Sequence, residues 1–178
     1  MRVRVRPEDP VDAPAVQAII GDAFPEVDGV VVEVGLNDEL RRDPDRIPEL
    51  CLVAERHGAL VGQVTCSYGV LTDPADGAVV RRLVGIGPVA VRRADQGAGV
   101  GRALMADLVE RATRAGELAL VLLGDPDFYG RFGFRPAAEA GIGAPDPAWG
   151  GHFQALLLAP DAPPLNGDFA YAAPFGRL

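Results

Sequence analysis

The sequence of 178 residues contains no lysine, two histidines and two cysteines. The absence of lysine excludes a lysine Schiff-base mechanism. His57 and His152 lie far apart, and no Cys–His pair has the spacing of metal ligands, so we expect no metal site. No apolar run reaches the roughly 20 residues that cross a bilayer. The N-terminal segment MRVRVRPEDP is also unlike a signal peptide. We therefore expect a cytoplasmic protein that does not associate with membranes, in which Cys51 and Cys66 are buried thiols on strands.

Composition and charge narrow the class further. Hydrophobic residues make up 48% of the chain and charged residues 24%, which is typical of a globular protein. The length favours a single domain over residues 1–178. The 17 cationic residues face 25 acidic ones, which gives a net charge of −8. Such an acidic chain is a poor partner for nucleic acid, because phosphate contacts dominate that affinity.

Hydrophobic periodicity and turn signals predict an α/β protein. Asp9 before Pro10 is typical of a helix N-terminus, and His57-Gly58 predicts a hairpin turn. In the strand over residues 79–91, Gly87 and Pro88 together with Gly85 predict a bulge. Further strands are predicted over residues 2–6, 118–124 (of the buried, parallel type) and 152–159, and helices over residues 102–116 and 127–132. Residues 25–49 are predicted as an acidic loop with one short helix near Asn37–Arg42.

A glycine-rich loop, Gln96-Gly97-Ala98-Gly99-Val100-Gly101, joins the long strand to the following helix. Backbone amides and the helix N-terminus make such a loop suitable for a phosphate or pyrophosphate. A P-loop is excluded because the chain has no lysine. A dinucleotide-binding fingerprint is disfavoured because the loop lies past the midpoint and follows an antiparallel hairpin. Arg92, Arg93 and Arg102 flank the loop. The alternative is an ordinary tight turn closed by small residues.

Two motifs resemble the GNAT superfamily of N-acyltransferases. Residues 87–101, GPVAVRRADQGAGVG, followed by RALM, are similar to its acyl-CoA signature, and residues 128–134, FYGRFGF, are similar to its second hallmark. The resemblance is firm over residues 50–137, looser over 1–24 and 150–178, and absent over 25–49. It implies a mixed, mostly antiparallel central sheet with a splayed strand pair and helices on both faces.

The resemblance also implies roles for individual residues. The backbone of Val89, Ala90 and Val91 would bind the pantetheine arm, and Tyr129 would protonate the departing CoA thiolate. The pyrophosphate would lie on the loop residues Gln96, Gly97, Ala98, Gly99, Val100 and Gly101, beside Arg102. From the residues themselves, Phe132 and Phe134 are predicted core aromatics. Asp125 and Asp127 either orient the amine or cap the short helix, with capping favoured for at least one of them.

The general base is not evident from the sequence. Many relatives carry a glutamate on the strand before the CoA loop, where this chain has Arg81 and Arg82. The alternatives are a water held by backbone carbonyls or an acid from the acceptor-side loop, with Glu26, Asp28 and Glu33 as candidates. The acidity of residues 25–49 suggests a cationic acceptor such as a polyamine, an aminoglycoside-like compound or a peptide N-terminus.

The sequence therefore predicts transfer of an acetyl group from acetyl-CoA to a primary amine, directly and in a ternary complex. No covalent intermediate is expected, since neither cysteine lies near the inferred site. Two other interpretations remain open: a non-catalytic acyl-CoA sensor, and an interaction domain whose residues 96–101 form an ordinary turn. The assembly is a monomer or a homodimer, and the strand at 152–159 is a candidate for pairing across an interface.

Overall fold

The computed structural model describes residues 3–159, 161 and 164–177. These residues form nine strands and four α-helices, joined by short 3-10 turns. In chain order they are β1 (Arg4–Pro7), α1 (Ala13–Ala23), α2 (Val32–Arg42), β2 (Leu52–Arg56), β3 (Ala59–Thr72), β4 (Val79–Val91), α3 (Val100–Arg114), β5 (Ala119–Leu123), α4 (Pro126–Tyr129), β6 (Arg135–Pro136), β7 (Ile142–Gly143), β8 (Phe153–Leu157) and β9 (Gly167–Ala170).

The strands form one mixed sheet in the order β1-β2-β3-β4-β5-β8-β6, and β9 pairs with both β3 and β7. The pairs β4–β5 and β7–β9 are parallel and all the others are antiparallel. The apolar segment at 118–124 is therefore parallel to one neighbour and antiparallel to the other. The segment at 152–159 lies inside the sheet, between β5 and β6.

Helices cover both faces of the sheet. On β2, Leu52 and Ala54 pack in the cluster that contains Leu104 of α3, whereas Val53 packs with Ile19 of α1. Alternate residues of a strand point to opposite faces, so α1 and α3 lie on opposite sides. The predicted fold class is confirmed.

Strand β4 contains the predicted bulge and then separates from β5. The β3–β4 register shifts between Val64 and Cys66, opposite the Gly87–Pro88 peptide, which is cis. The parallel β4–β5 ladder covers three residue pairs and ends at Ile86 and Leu122. Beyond Ile86, β4 continues for five residues along β3 alone. This separation opens a gap in the sheet, which positions the site described below.

Local turn chemistry follows the sequence except in the acidic segment. The Asp9 carboxylate accepts from the Val11 amide at 3.1 Å, and both His57 and Gly58 adopt positive φ in the hairpin turn. The prediction that residues 25–49 are a loop with a helix near 37–42 is wrong in extent. Helix α2 has 11 residues and begins at Val32. The sequence does not indicate the first turn of this helix, because its branched valines and Gly35 have low helix propensity.

Candidate active site

The N-terminus of α3 and the preceding glycine loop border a groove of about 460 Å³. Gly97 and Gly99 have φ of +75° and +84°, so their backbone requires glycine, and a Cβ at either would meet no atom within 4 Å. The first amides of α3 have no intrahelical acceptor. Within the loop, the amides of Gln96 and Ala98 donate to the carbonyls of Arg93 and Asp95, at 3.4 Å in each case. The groups directed outward are therefore those of Gly97 and the start of α3.

The free edge of β4 supplies a second set of backbone groups. The Arg92 amide donates to the Val61 carbonyl on β3 at 2.8 Å. Because alternate residues of a strand direct their backbone groups to opposite edges, Ala90 also faces β3, while Val89 and Val91 face the gap left by β5. Ala90 is thus set apart from the other candidate residues, with its side chain packed in the α1 cluster. At the gap, the Gln96 side chain donates to the Val91 carbonyl at 3.1 Å.

Arg102 and Arg131 are the cations among the groove-lining residues that the structure describes. Arg102 was expected from the sequence, whereas Arg131, next to the tyrosine hallmark, was missed. Its only sequence signal is its position in FYGRFGF. Arg92 and Arg93 do not line the groove; the Arg93 amide instead donates to Asp22 at 2.7 Å. Phe128 closes the groove over Gly101, where a Cβ would lie 3.3 Å from its ring.

Val89 also lines a second cavity, of about 450 Å³, at the point where β4 and β5 part. The groove and the cavity are therefore neighbours on the two sides of this residue. Apart from Glu33, the described lining is apolar or aromatic. It includes Phe24, Leu36, Ile86, Leu122, Tyr129, Trp149, Tyr171 and Phe175.

Tyr129 reaches the cavity from α4. Asp125 begins this helix by accepting a hydrogen bond from the Asp127 amide at 2.9 Å, which confirms the predicted cap. Burial, followed by the negative charge of Asp125, raises the pKa of Tyr129 to about 12. The phenol therefore keeps its proton throughout the neutral range. Of the two other aromatics in the motif, Phe134 is a core residue and Phe132 packs half-buried against the same cluster.

Among the three acids proposed as general base, the structure brings Glu33 alone into the cavity. Its Oε2 atom is buried and has no hydrogen-bond partner among the described residues. Glu26 and Asp28 lie in the exposed turn that precedes α2. The sequence carried no signal that separated the three, since only the start of α2 at Val32 directs Glu33 inward.

Buried polar side chains of α2 and β3 form a hydrogen-bonded series that reaches the bulge in β4. The side-chain amide of Gln63 donates through Nε2 to the Pro88 carbonyl at 3.0 Å. The Thr65 hydroxyl lies 3.0 Å from Gln63 Oε1 and 2.6 Å from Asn37 Oδ1. Asn37 lies one turn after Glu33 on α2. Sequence analysis missed this series, although polar Gln63, Thr65 and Ser67 at every second position of an apolar strand were a usable signal.

Neither cysteine lines the groove or the cavity. Cys51 and Cys66 are buried free thiols, as predicted, but Cys51 lies just before β2 and not on a strand; its thiol is 3.4 Å from the Cys66 carbonyl. Burial raises the pKa of both thiols. The described residues bring together no group of three or more metal-binding side chains. Their helices include none with the length and apolar character needed to cross a membrane.

A mixed sheet that splits beside a glycine-rich helix N-terminus is the architecture that the sequence motifs implied for an N-acyltransferase. Residues 48–136 match the family model described as an acetyltransferase (GNAT) domain. The chain is 35% identical over 165 residues to the uncharacterised N-acetyltransferase YhbS of Escherichia coli K12, covering 92% of this chain and 90% of that protein. The chain therefore belongs to the GNAT family of acetyltransferases and is an acyltransferase.

Two solved structures are similar over nearly the whole chain. One is E. coli YhbS in complex with CoA, with a TM-score of 0.86 and 31% identity, covering 100% of this chain and 94% of that one. The other is a GNAT acetyltransferase from Brucella melitensis in complex with acetyl-CoA, with a TM-score of 0.75 and 32% identity, covering 98% of each chain. The likeness includes residues 25–49, where the sequence alone showed none.

Proposed function

We propose that this protein transfers an acetyl group from acetyl-CoA to a primary amine by direct attack in a ternary complex. The observation that carries the proposal is the meeting of the backbone-lined groove and the largely apolar cavity at Val89. One binds a long phosphate-bearing ligand and the other holds a small acceptor beside Tyr129 and Glu33. The CoA and acetyl-CoA held by the two similar structures support this choice of cosubstrate.

The groove fits acetyl-CoA by its own chemistry. The outward amides of Gly97 and of the first turn of α3 would hold the pyrophosphate, with Arg102 and Arg131 beside them. The backbone groups of Val89 and Val91 that face the gap would bind the pantetheine amides as a neighbouring strand does. Gln96 would release the Val91 carbonyl when this happens, since its side chain occupies that acceptor.

When bound, acetyl-CoA supplies an acetyl group activated as a thioester. Glu33 holds the acceptor ammonium and takes its proton, so that the amine becomes a nucleophile. The Val89 amide at the gap polarises the carbonyl that is attacked. As the C–N bond forms and the C–S bond breaks, Tyr129 donates its proton to the departing thiolate and regains one from the nitrogen of the new amide. Burial raises the pKa of the Tyr129 phenol and so makes it a weaker acid. The same desolvation raises the pKa of a thiol in this cavity, so the difference between the two pKa values stays similar.

The cysteines and their burial support direct transfer. Cys51 and Cys66 lie outside the cavity, and burial keeps both thiols protonated. Neither thiol is therefore placed to carry an acetyl group. Two buried free thiols are also compatible with the cytoplasmic location that we propose, because the cytosol keeps thiols reduced.

The test is calorimetric titration with acetyl-CoA, followed by CoA release in the presence of a mixed panel of primary amines. Gly99→Glu adds a carboxylate at the groove and is expected to abolish saturable binding. Gly116→Glu is the matched control, because Gly116 has φ of +77° at the other end of α3. Failure of the parent protein to bind at millimolar acetyl-CoA would refute the proposal. Binding without acetyl transfer to any amine would instead support a non-catalytic acyl-CoA sensor.

A further inference from the structure

The walls of the cavity are aromatic and held in place by one another. The Tyr171 and Phe175 rings stack with centroids 4.5 Å apart, and Tyr171 packs so closely on Gly85 that a Cβ there would lie 2.8 Å from its ring. Trp149 and Phe24 complete the aromatic lining. Burial of an apolar group against such a surface is favourable, whereas a polar group would find few hydrogen-bond partners there.

Glu33 is the only charged side chain among the described lining residues. One carboxylate balances one ammonium. A second ammonium in the same cavity would lose its water against aromatic and aliphatic groups, without an opposite charge. A carboxylate on the ligand would likewise find no cation, since Arg177, beside the lining residue Gly176, is bound to Glu39 at 2.6 Å.

Three of the seven other acids of residues 25–49 form ion pairs, whereas Glu26 and Asp28 lie in the exposed turn before α2. Asp38 binds Arg41 and the Gln17 amide, Asp45 binds Arg82, and Glu39 binds Arg177. These pairings help to stabilise the packing of α2, and Glu33 is the acid of this segment that lines the cavity among the described residues. The acidity of the segment is therefore not by itself a reason to expect a polyamine or an aminoglycoside.

We infer that the acceptor is a hydrophobic primary monoamine, whose ammonium binds Glu33 and whose apolar body lies among Trp149, Tyr171 and Phe175. The inference rests on the proposed function and specifies its substrate class. It excludes polyamines, and it excludes free α-amino acids because their carboxylate would be buried unpaired beside the amine.

The protein carries its own reporter for the test. Trp149 is the single tryptophan of the chain and lines the cavity. Protein saturated with CoA is titrated with 2-phenylethylamine, and occupancy is followed by tryptophan fluorescence. L-Phenylalanine, 2-phenylethanol and spermidine are titrated in parallel. We expect saturable binding of 2-phenylethylamine, and affinities at least about tenfold weaker for the other three, the loss expected when a charged hydrogen bond is missing or a charge is left unpaired.

Variants of Glu33 and Phe175, with Glu26→Gln as the control, test whether these residues cause the ligand selectivity. Glu33→Gln is expected to remove the preference for 2-phenylethylamine over 2-phenylethanol, while Glu26→Gln, a carboxylate outside the cavity, leaves it intact. Phe175→Ala is expected to weaken both ligands alike, because it removes apolar contact without changing charge. Unchanged selectivity in Glu33→Gln would overturn the assignment.

The outcomes separate this inference from the proposed function. If spermidine binds as tightly as 2-phenylethylamine, or is the better acetyl acceptor, the monoamine assignment is wrong and the acetyltransferase remains. If none of the four ligands changes the fluorescence of a protein that binds acetyl-CoA, the assignment is also wrong. If 2-phenylethylamine binds at Trp149 but is not acetylated with acetyl-CoA bound, the cavity assignment stands and the transferase proposal fails.

Discussion

The ring of Tyr129 occupies the space that a side chain on Gly124 would fill: a Cβ built on Gly124 would lie 2.3 Å from Tyr129 Cε2. Gly124 follows β5 directly, just beyond the point where β4 and β5 part. The Tyr129 ring also makes edge contacts with Phe128 and Phe134, whose ring centroids are 4.8 and 5.9 Å from its own. The absence of a side chain at position 124 thus allows the phenol to reach the cavity.

Gly124→Ala should therefore displace the Tyr129 ring and lower kcat by about tenfold or more, because misplacing a reacting group by an ångström is costly. Gly130→Ala is the matched control, since a Cβ there meets no atom within 4 Å and the residue is helical. Steady-state kinetics on both variants check this, with acetyl-CoA affinity expected to stay unchanged. Equal kcat in the two variants would show that Gly124 does not control the position of Tyr129.

Removing the phenolic hydroxyl should slow the chemical step more than it weakens binding. Tyr129→Phe is expected to lower kcat about 100-fold, the usual contribution of a general acid, with little change in the dissociation constant of acetyl-CoA. Tyr68→Phe is the control, because the Tyr68 hydroxyl donates to Glu117 at 2.6 Å and Tyr68 does not line the cavity. Full turnover of Tyr129→Phe would rule out the acid role.

Arg131 should contribute to cosubstrate affinity, although its position within FYGRFGF did not distinguish it in the sequence analysis. Arg131→Ala is expected to weaken acetyl-CoA binding by about tenfold at low salt, as for one charge-assisted phosphate contact, and the difference should shrink as salt is added. Arg93→Ala keeps the net charge equal and changes a cation outside the groove. Calorimetry on both variants decides the matter: equal affinities would remove Arg131 from the phosphate site.

The tyrosines make stability fall at alkaline pH. Hydrogen bonding to Glu117 and burial raise the pKa of Tyr68 to about 12, burial raises that of Tyr129 to about 12, and burial also raises the pKa of Tyr171. In the unfolded chain a tyrosine titrates near 10. Between about pH 10 and about pH 12 the unfolded state therefore loses protons that the folded state keeps, so the free energy of unfolding declines as pH rises.

Urea unfolding from about pH 9 to about pH 11, with tyrosinate absorbance of the folded protein in parallel, measures this decline. Tyr68→Phe should make the decline shallower. Tyrosinate formation in the folded protein centred near pH 10 would contradict the expectation.

The sequence predicted those parts of the molecule that local chemistry determines. The cap at Asp9, the turn at His57-Gly58 and the bulge at Gly87-Pro88 follow from the backbone preferences of these residue types. The prediction of Tyr129 and the glycine loop as site residues came from the resemblance of two motifs to a known family, and not from local chemistry. The cavity was not predictable in this way. Phe24, Glu33 and Trp149 come from distant segments, and long-range packing brings them together without a local signal.

The same limit explains the misplaced start of α2. Valines and Gly35 in its first turn do not favour a helix, and the helix forms because Leu36 and Leu40 are buried. Only with this helix in place does Glu33 differ from Glu26 and Asp28.

The gap between β4 and β5 has a thermodynamic consequence. Three residue pairs join β4, at the border of one half of the sheet, to β5, β8 and β6 in the other half. A ligand bound in the gap would contact both halves and take the place of missing backbone partners, so it would act as a strand that the polypeptide does not supply. Its binding free energy would then add to the stability of the folded chain in proportion to the logarithm of its concentration. The supply of such a ligand would set both the rate of the enzyme and its resistance to unfolding.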